Sequence, residues 1–180
     1  MEKQYADELL SLPEKIQQVI DNKEKIQYYA SQYFNSKSVF FIGRGLDYAL
    51  SMEGSLKLKE ISYIHSEAYG AGELKHGTIS LIEDGTLVMA MATQEKLYDK
   101  MVSNIKEVKA RGAVVFAIAE EGHTAIEECS DAVLYIPKTN QMFTPSLAVT
   151  ALQLFAYYVA SLNGCDIDKP RNLAKSVTVE

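Results

Sequence analysis

The sequence predicts a doubly wound α/β sandwich, a parallel sheet of about five strands flanked on both faces by helices. Two observations support this class. Short, continuously apolar runs alternate with longer segments of helical periodicity, and such runs are typical of parallel strands that are buried on both faces. The composition is that of an ordinary globular chain, since 47% of the 180 residues are hydrophobic and 23% are charged.

The strands and helices follow in chain order. The predicted strands are 38–42, 86–91, 113–118 and 132–136. The helices between and after them are 46–63, 95–111, a short one near 124–128, and 145–163. Thr144 is the expected N-cap of the last helix, with Pro145 at its first position and Gly164 beyond its end.

Two amphipathic helices, 5–21 and 23–35, come before the first strand. Pro13 and the Asp21-Asn22 pair are expected to interrupt or separate them. No Gly/Ser linker or internal repeat divides the chain, so a single domain is predicted. The predicted domain spans 1–180. Within it, the N-terminal helices 1–36 pack on the rest, and 165–180 form a C-terminal tail.

The alternation of strands and helices favours a flavodoxin-like sheet, in which ligands bind beyond the carboxyl ends of the strands. The loops that follow the predicted strands therefore form the candidate edge for a site. They are 43–46, 92–95, 119–123 and 137–144.

Charge and cysteine content exclude several classes of function. The net charge of −6 argues against a nucleic-acid surface but not against a small anionic substrate, because a local site can be positive on an acidic protein. Cys129 and Cys165 form no CxxC motif or Cys/His cluster, so we predict reduced thiols in a cytoplasmic protein and expect neither a metal nor another cofactor. The apolar stretch 145–162 is shorter than the ~20 residues of a bilayer span, so we predict a buried helix and no membrane segment.

Gly43-Arg44-Gly45 lies where a strand turns into a helix. Glycines at such a turn let backbone N–H groups face an anion at the helix N-terminus, so phosphate or nucleotide binding is one interpretation. The motif lacks the third glycine of a dinucleotide fingerprint, and a tight turn without a ligand is therefore the favoured alternative.

The helix 46–63 carries charges in an unexpected place. At 100° per residue, one face is polar and contains Ser51, Ser55, Lys59 and Ser62. Glu53, Lys57 and Glu60 fall nearly opposite, among apolar side chains that are predicted to face the core. Buried charges need partners, and the i,i+4 and i,i+3 spacings allow Lys57 to pair with both glutamates. Two hypotheses remain, a structural ion-pair cluster at an oligomer interface, or a site in which a carboxylate acts as base beside a lysine.

The segment 66–77 has no clean periodicity, and the C-terminal tail alternates polar and apolar residues after Pro170. We predict a long ordered loop around a short helix for the first, and long loops in compact domains are often functional. His76 within it and Lys175 in the tail are, on pattern alone, ordinary solvated side chains.

Four segments together resemble the second sugar-isomerase (SIS) domain of the glucosamine-6-phosphate synthase family. They are 43–45, 53–63, 72–77 and 169–180, within a resemblance that covers about 5–180. Members of this family convert fructose 6-phosphate and the amide nitrogen of glutamine into glucosamine 6-phosphate and glutamate.

The resemblance implies a role for each catalytic candidate. Lys175 would form a Schiff base with the sugar ketone, and Glu60 would move a proton between the first and second carbons. Lys57 would hold charge and hydroxyl groups beside Glu60. His76 would assist ring opening in the site of a neighbouring subunit, which implies a homodimer. The implied substrate-binding residues are Gly43, Arg44, Gly45, Arg171 and Ala174.

The chain departs from the family in two respects. The family's glutaminase domain and first SIS domain do not fit before Ser38, so we expect both to be missing partners. The loop 92–95 has one hydroxyl and a negative charge and is poorly made for phosphate. We therefore expect an enzyme fragment that is inactive alone. The alternatives are a regulatory SIS module that binds sugar phosphates without catalysis, and a mainly structural dimerisation domain.

Overall fold

The computed structural model of the chain describes residues 2–171. Its strands are Ser38–Gly43 (β1), His65–Gly70 (β2), Leu87–Ala92 (β3), Val114–Glu120 (β4) and Ala132–Ile136 (β5). They form one parallel sheet in the order β2-β1-β3-β4-β5. This order, with its reversal between β1 and β3, is the flavodoxin-like one, and it confirms the predicted doubly wound class.

Helices cover both faces of the sheet. Those described are Glu2–Asp21 (α1), Lys23–Tyr33 (α2), Leu46–Ser62 (α3), Tyr98–Lys109 (α4) and Thr144–Leu162 (α5). On one face α1, α2, α3 and α5 pack against strand residues such as Phe41 and Met89. On the other face α4 packs against Phe40 and Val88. Since adjacent residues of a strand point to opposite faces, both layers bury apolar side chains, which explains the continuously apolar strands.

The apolar helix α5 lies in the core of this fold. By length and composition it could cross a membrane, but it packs against α1, α2 and α3 and buries side chains such as Leu147 and Phe155. The structure therefore confirms the buried helix predicted for 145–162.

Strand β2 replaces the first half of the loop predicted over 66–77. It pairs with β1 at the edge of the sheet, in a register that runs from Ser38 opposite His65 to Gly43 opposite Gly70. An edge strand keeps one side near solvent and tolerates polar residues, so it lacks the apolar run that identifies its neighbours. The predicted short helix is a 3-10 turn at Leu74–His76.

Two local predictions at helix ends are also corrected. Pro13 lies inside α1, which runs unbroken to Asp21, so the two helices are separated only at Asn22. Thr144 is the first residue of α5 rather than its N-cap, which is Phe143.

Candidate active site

Lys57 and Glu60 form a close ion pair on α3, with 2.6 Å between Lys57 Nζ and Glu60 Oε2. Glu53 Oε1 lies 3.8 Å from the same nitrogen. The hydrogen bond to Glu60 raises the pKa of Lys57 above its usual value, an effect that partial burial opposes. The Lys57 and Glu60 side chains keep 32% and 37% of their surface exposed. The pair is therefore a protonated lysine beside a carboxylate that solutes can reach.

The helical pattern predicted that these charges face the core. That prediction is wrong, because all three side chains are partly exposed. The core side of α3 is instead formed mainly by small and aliphatic residues, Leu50, Ser51, Gly54, Ser55, Leu58 and Ser62. A Cβ at Gly54 would lie 2.9 Å from the Phe41 ring and 3.0 Å from a Leu152 methyl group. The helix thus uses small residues to approach β1 and α5 closely. Its Ser51 and Ser62 hydroxyls donate to backbone carbonyls of α3, and the Ser55 hydroxyl is hydrogen-bonded to the Ser66 hydroxyl of β2.

A cleft of about 490 Å³ separates part of α3 from α5, and Lys57 lies on its wall. The other residues that line it are Ile20, Ile61, Thr150, Gln153, Leu154, Ala156, Tyr157 and Ile167. A charged side chain on a mostly aliphatic and aromatic wall is the arrangement expected of a small-molecule site.

The C-terminal segment returns to the same end of α3. The Arg171 guanidinium lies 3.8 Å from the centre of the Tyr63 ring, and its backbone N–H donates to Tyr63 Oη at 3.0 Å. Tyr63 caps α3 in the left-handed conformation, with φ of 61°. Nothing in the sequence pattern singled out Tyr63. Lys175 and Ala174 lie outside the described residues.

His76 lies at the other edge of the sheet from Glu60. It follows the carboxyl end of β2, whereas α3 begins at the carboxyl end of β1 and runs back toward the amino edge. Glu60 is 14 positions into the helix after Leu46, about 21 Å along its axis. The structure therefore keeps the exposed His76 apart from the Lys57–Glu60 pair of its own chain.

Gly43-Arg44-Gly45 also lies at the carboxyl edge, away from Glu60. A Cβ at Gly43 would lie 2.3 Å from the Asp47 carbonyl oxygen, so this glycine is required by packing. The Arg44 Nη1 donates to Asn104 Oδ1 at 2.9 Å. These contacts support the tight-turn interpretation, and the substrate-binding role of the three residues stays a prediction.

Asp47, which the sequence pattern did not single out, organises this edge. Its buried carboxylate accepts hydrogen bonds from the backbone N–H groups of Thr93 at 2.7 Å and Gln94 at 3.3 Å, and from the Thr93 hydroxyl. Burial raises the pKa of Asp47, although these hydrogen bonds act in the opposite direction. The single hydroxyl of the loop 92–95 is thus already bound to a carboxylate, in agreement with the prediction that this loop suits phosphate poorly.

Comparison with known proteins identifies the family. The SIS domain model matches residues 32–162. The chain belongs to the SIS domain family. It is 65% identical over 177 residues to a glutamine–fructose-6-phosphate aminotransferase (isomerizing) of Caldanaerobacter subterraneus subsp. tengcongensis, covering 98% of this chain and 29% of that protein. The corresponding protein of Clostridium acetobutylicum is 61% identical over 180 residues, with 100% and 29% covered.

A solved structure supports the same relationship. The C-terminal domain of glucosamine-fructose-6-phosphate aminotransferase from Francisella tularensis superimposes with a TM-score of 0.84 at 34% identity. The match covers 92% of this chain and 46% of that one. The SIS chain thus spans about 29% of the length of these curated relatives and about half of a solved C-terminal domain.

Proposed function

We propose that this SIS chain carries the isomerase catalytic groups of a glutamine–fructose-6-phosphate aminotransferase and acts together with a preceding SIS domain and a glutaminase domain. The observation that carries the proposal is the partly exposed Lys57–Glu60 ion pair near the end of α3 where the C-terminal segment returns. Lys57 of this pair lies on the wall of a cleft. The activity of the relatives, glutamine–fructose-6-phosphate aminotransferase, provides the substrate class, fructose 6-phosphate with glutamine as nitrogen donor.

In the proposed reaction the Lys175 amine adds to the C2 ketone of open-chain fructose 6-phosphate, and water leaves to form a Schiff base. Ammonia released from glutamine displaces the lysine and leaves an imine at C2. Glu60 then takes a proton from C1 and delivers it to C2. The proton of the C1 hydroxyl passes to the imine nitrogen, so that C1 becomes the aldehyde and C2 carries the amine of glucosamine 6-phosphate. Lys57 holds a positive charge beside Glu60 and donates to a substrate hydroxyl.

The position of His76 supports a homodimer in this scheme. Because His76 and Glu60 lie toward opposite edges of the sheet within one chain, His76 serves the site of a neighbouring copy. The phosphate is held by the preceding SIS domain, since Thr93 is bound to Asp47. We place the assembly in the cytoplasm, in agreement with two cysteines that form no disulfide.

Borohydride trapping tests the proposal. The chain is co-produced with the preceding SIS domain of the Caldanaerobacter relative, incubated with fructose 6-phosphate, reduced, and mapped by mass spectrometry. We expect the reduced sugar on Lys175, and the label should be absent from Lys175→Ala but present in the matched control Lys169→Ala. Labelling of Lys175→Ala would show that the Schiff-base role is wrong. Tight fructose 6-phosphate binding by the isolated chain, without turnover in any reconstitution, would instead indicate a regulatory module.

A further inference from the structure

Three side chains with metal-ligating atoms meet at the carboxyl edge of the sheet, away from the Lys57–Glu60 pair. A carboxylate oxygen of Glu95, a carboxylate oxygen of Glu120 and a ring nitrogen of His123 all lie within 4.8 Å of one another. They come from the ends of β3 and β4, which are paired neighbours in the sheet. We propose that these three residues bind one divalent cation of the zinc class. This inference does not depend on the proposed function.

Glu120 presents a buried negative charge to this position. The residue is only 5% exposed, and Oε1 accepts a hydrogen bond from the Thr139 N–H at 3.1 Å. Among residues 2–171, neither Glu120 nor Glu95 has a charged nitrogen within 4.0 Å. A buried carboxylate without a cation is costly, and a bound divalent ion would offset that cost.

The His123 side chain adds a second observation at this position. Its Nδ1 is buried and has no hydrogen-bond partner in the described part of the chain, although buried polar atoms are normally paired. The ring is also held in place, because it stacks on Tyr98 with 4.2 Å between ring centres. The Tyr98 hydroxyl donates to the His123 carbonyl and accepts from the Ile126 N–H, both at 2.9 Å. These contacts hold the ring and backbone of His123 in place beside the two carboxylates.

The geometry and the donor atoms favour Zn²⁺. Tetrahedral bonds of 2.0–2.2 Å place ligand atoms about 3.4 Å apart, so the three groups need to close by no more than about 1.4 Å. Glu95 is exposed at the start of a 3-10 turn, Glu95–Leu97, and its side chain can rotate to do this. Mg²⁺ and Ca²⁺ prefer oxygen ligands alone, whereas an imidazole nitrogen suits Zn²⁺.

Three protein ligands leave a fourth position on the zinc ion. A cleft of about 780 Å³ lies beside Glu95, and its other lining residues are Gln94, Lys96, Leu97 and Gln141. The fourth ligand is therefore water or a small anion that enters through this cleft, with Lys96 available to balance its charge.

Calorimetric titration of the 180-residue chain with Zn²⁺, in a buffer that does not chelate it, tests the proposal. We expect one ion per chain, weak or no response to Mg²⁺, and an affinity at least about 10-fold lower in each of Glu95→Gln and His123→Gln. The matched control is His65→Gln, which removes a surface histidine that lies 3.7 Å from Glu67. Its Zn²⁺ affinity should not change.

Absence of Zn²⁺ binding, equal affinity in Glu95→Gln and the unchanged chain, or loss of binding in His65→Gln would each overturn the proposal. Circular dichroism melts accompany each titration. If His123→Gln fails to fold, Glu95→Gln alone decides, because that exposed side chain contributes little to the core.

Discussion

Replacement of Glu60 by Gln tests whether the Lys57–Glu60 ion pair is catalytic or structural. In the structure the pair is short, 2.6 Å, but Lys57 and Glu60 keep 32% and 37% of their side-chain surface exposed, so solvent screens it. Helical pairs of this spacing stabilise proteins by about 0.3–0.5 kcal/mol. For a chain of 180 residues this corresponds to a decrease in Tm of about 1–2 °C.

The catalytic contribution is expected to be much larger. A general base accelerates a reaction by about 10²–10⁴-fold, so Glu60→Gln should lower kcat of the reconstituted enzyme at least about 100-fold while the melting temperature hardly changes. Glucosamine 6-phosphate formation and circular dichroism melts measure the two effects on the same preparations. Lys59→Met is the matched control, because Lys59 lies on the same helix and is exposed.

Two results would refute this reasoning. If Glu60→Gln retains activity within about threefold, the carboxylate is not the base that moves the proton. If the melting temperature falls by far more than 2 °C, the pair holds the fold together, and any loss of activity follows from instability.

Three further predictions concern stability and the C-terminal segment. Gly43→Ala should lower the free energy of unfolding, measured in urea, by at least about 2 kcal/mol, because the new Cβ would lie 2.3 Å from a backbone oxygen. The control is Gly70→Ala, at the position that pairs with Gly43 in the sheet. Its new Cβ would meet only Glu73 Cγ, at 3.5 Å, so it should be nearly neutral. Asp47→Asn should gain stability relative to the unchanged chain as pH rises above about 4. An acid whose pKa is raised in the folded state binds more protons there, so its ionisation destabilises the fold as pH rises. Urea unfolding curves between pH 4 and pH 7 that show no such trend would contradict this. Tyr63→Ala removes the ring under Arg171 and should speed tryptic cleavage after that residue, as followed by mass spectrometry, whereas an unchanged cleavage rate would show that the stacking does not hold the segment.

The fold was largely predictable because most strands are locally recognisable. β1, β3, β4 and β5 are continuously apolar and needed no partner to be identified. β2 was missed because an edge strand such as His65–Gly70 acquires its structure by pairing with β1 and not from its own hydrophobicity.

The orientation of α3 shows where periodicity fails. Leu46 and Leu56 are apolar but exposed, whereas Ser51 and Ser55 are polar and buried. The pattern therefore predicted the wrong core face. The close approach of the helix at Gly54 to Phe41 and Leu152 outweighed side-chain hydrophobicity. A local stretch of sequence around α3 does not reveal these contacts, because both partners are distant in the chain.

The sequence by itself determined the sheet class and the Lys57–Glu60 pair, because helical spacing is a local property that places residues three apart on one surface. Only the tertiary structure decided which side of α3 is buried and which edge of the sheet each candidate occupies. His76 lies apart from Glu60 because their elements run to opposite edges. Glu95, Glu120 and His123 lie together because β3 pairs with β4, and contacts between distant parts of a chain depend on that pairing rather than on local pattern.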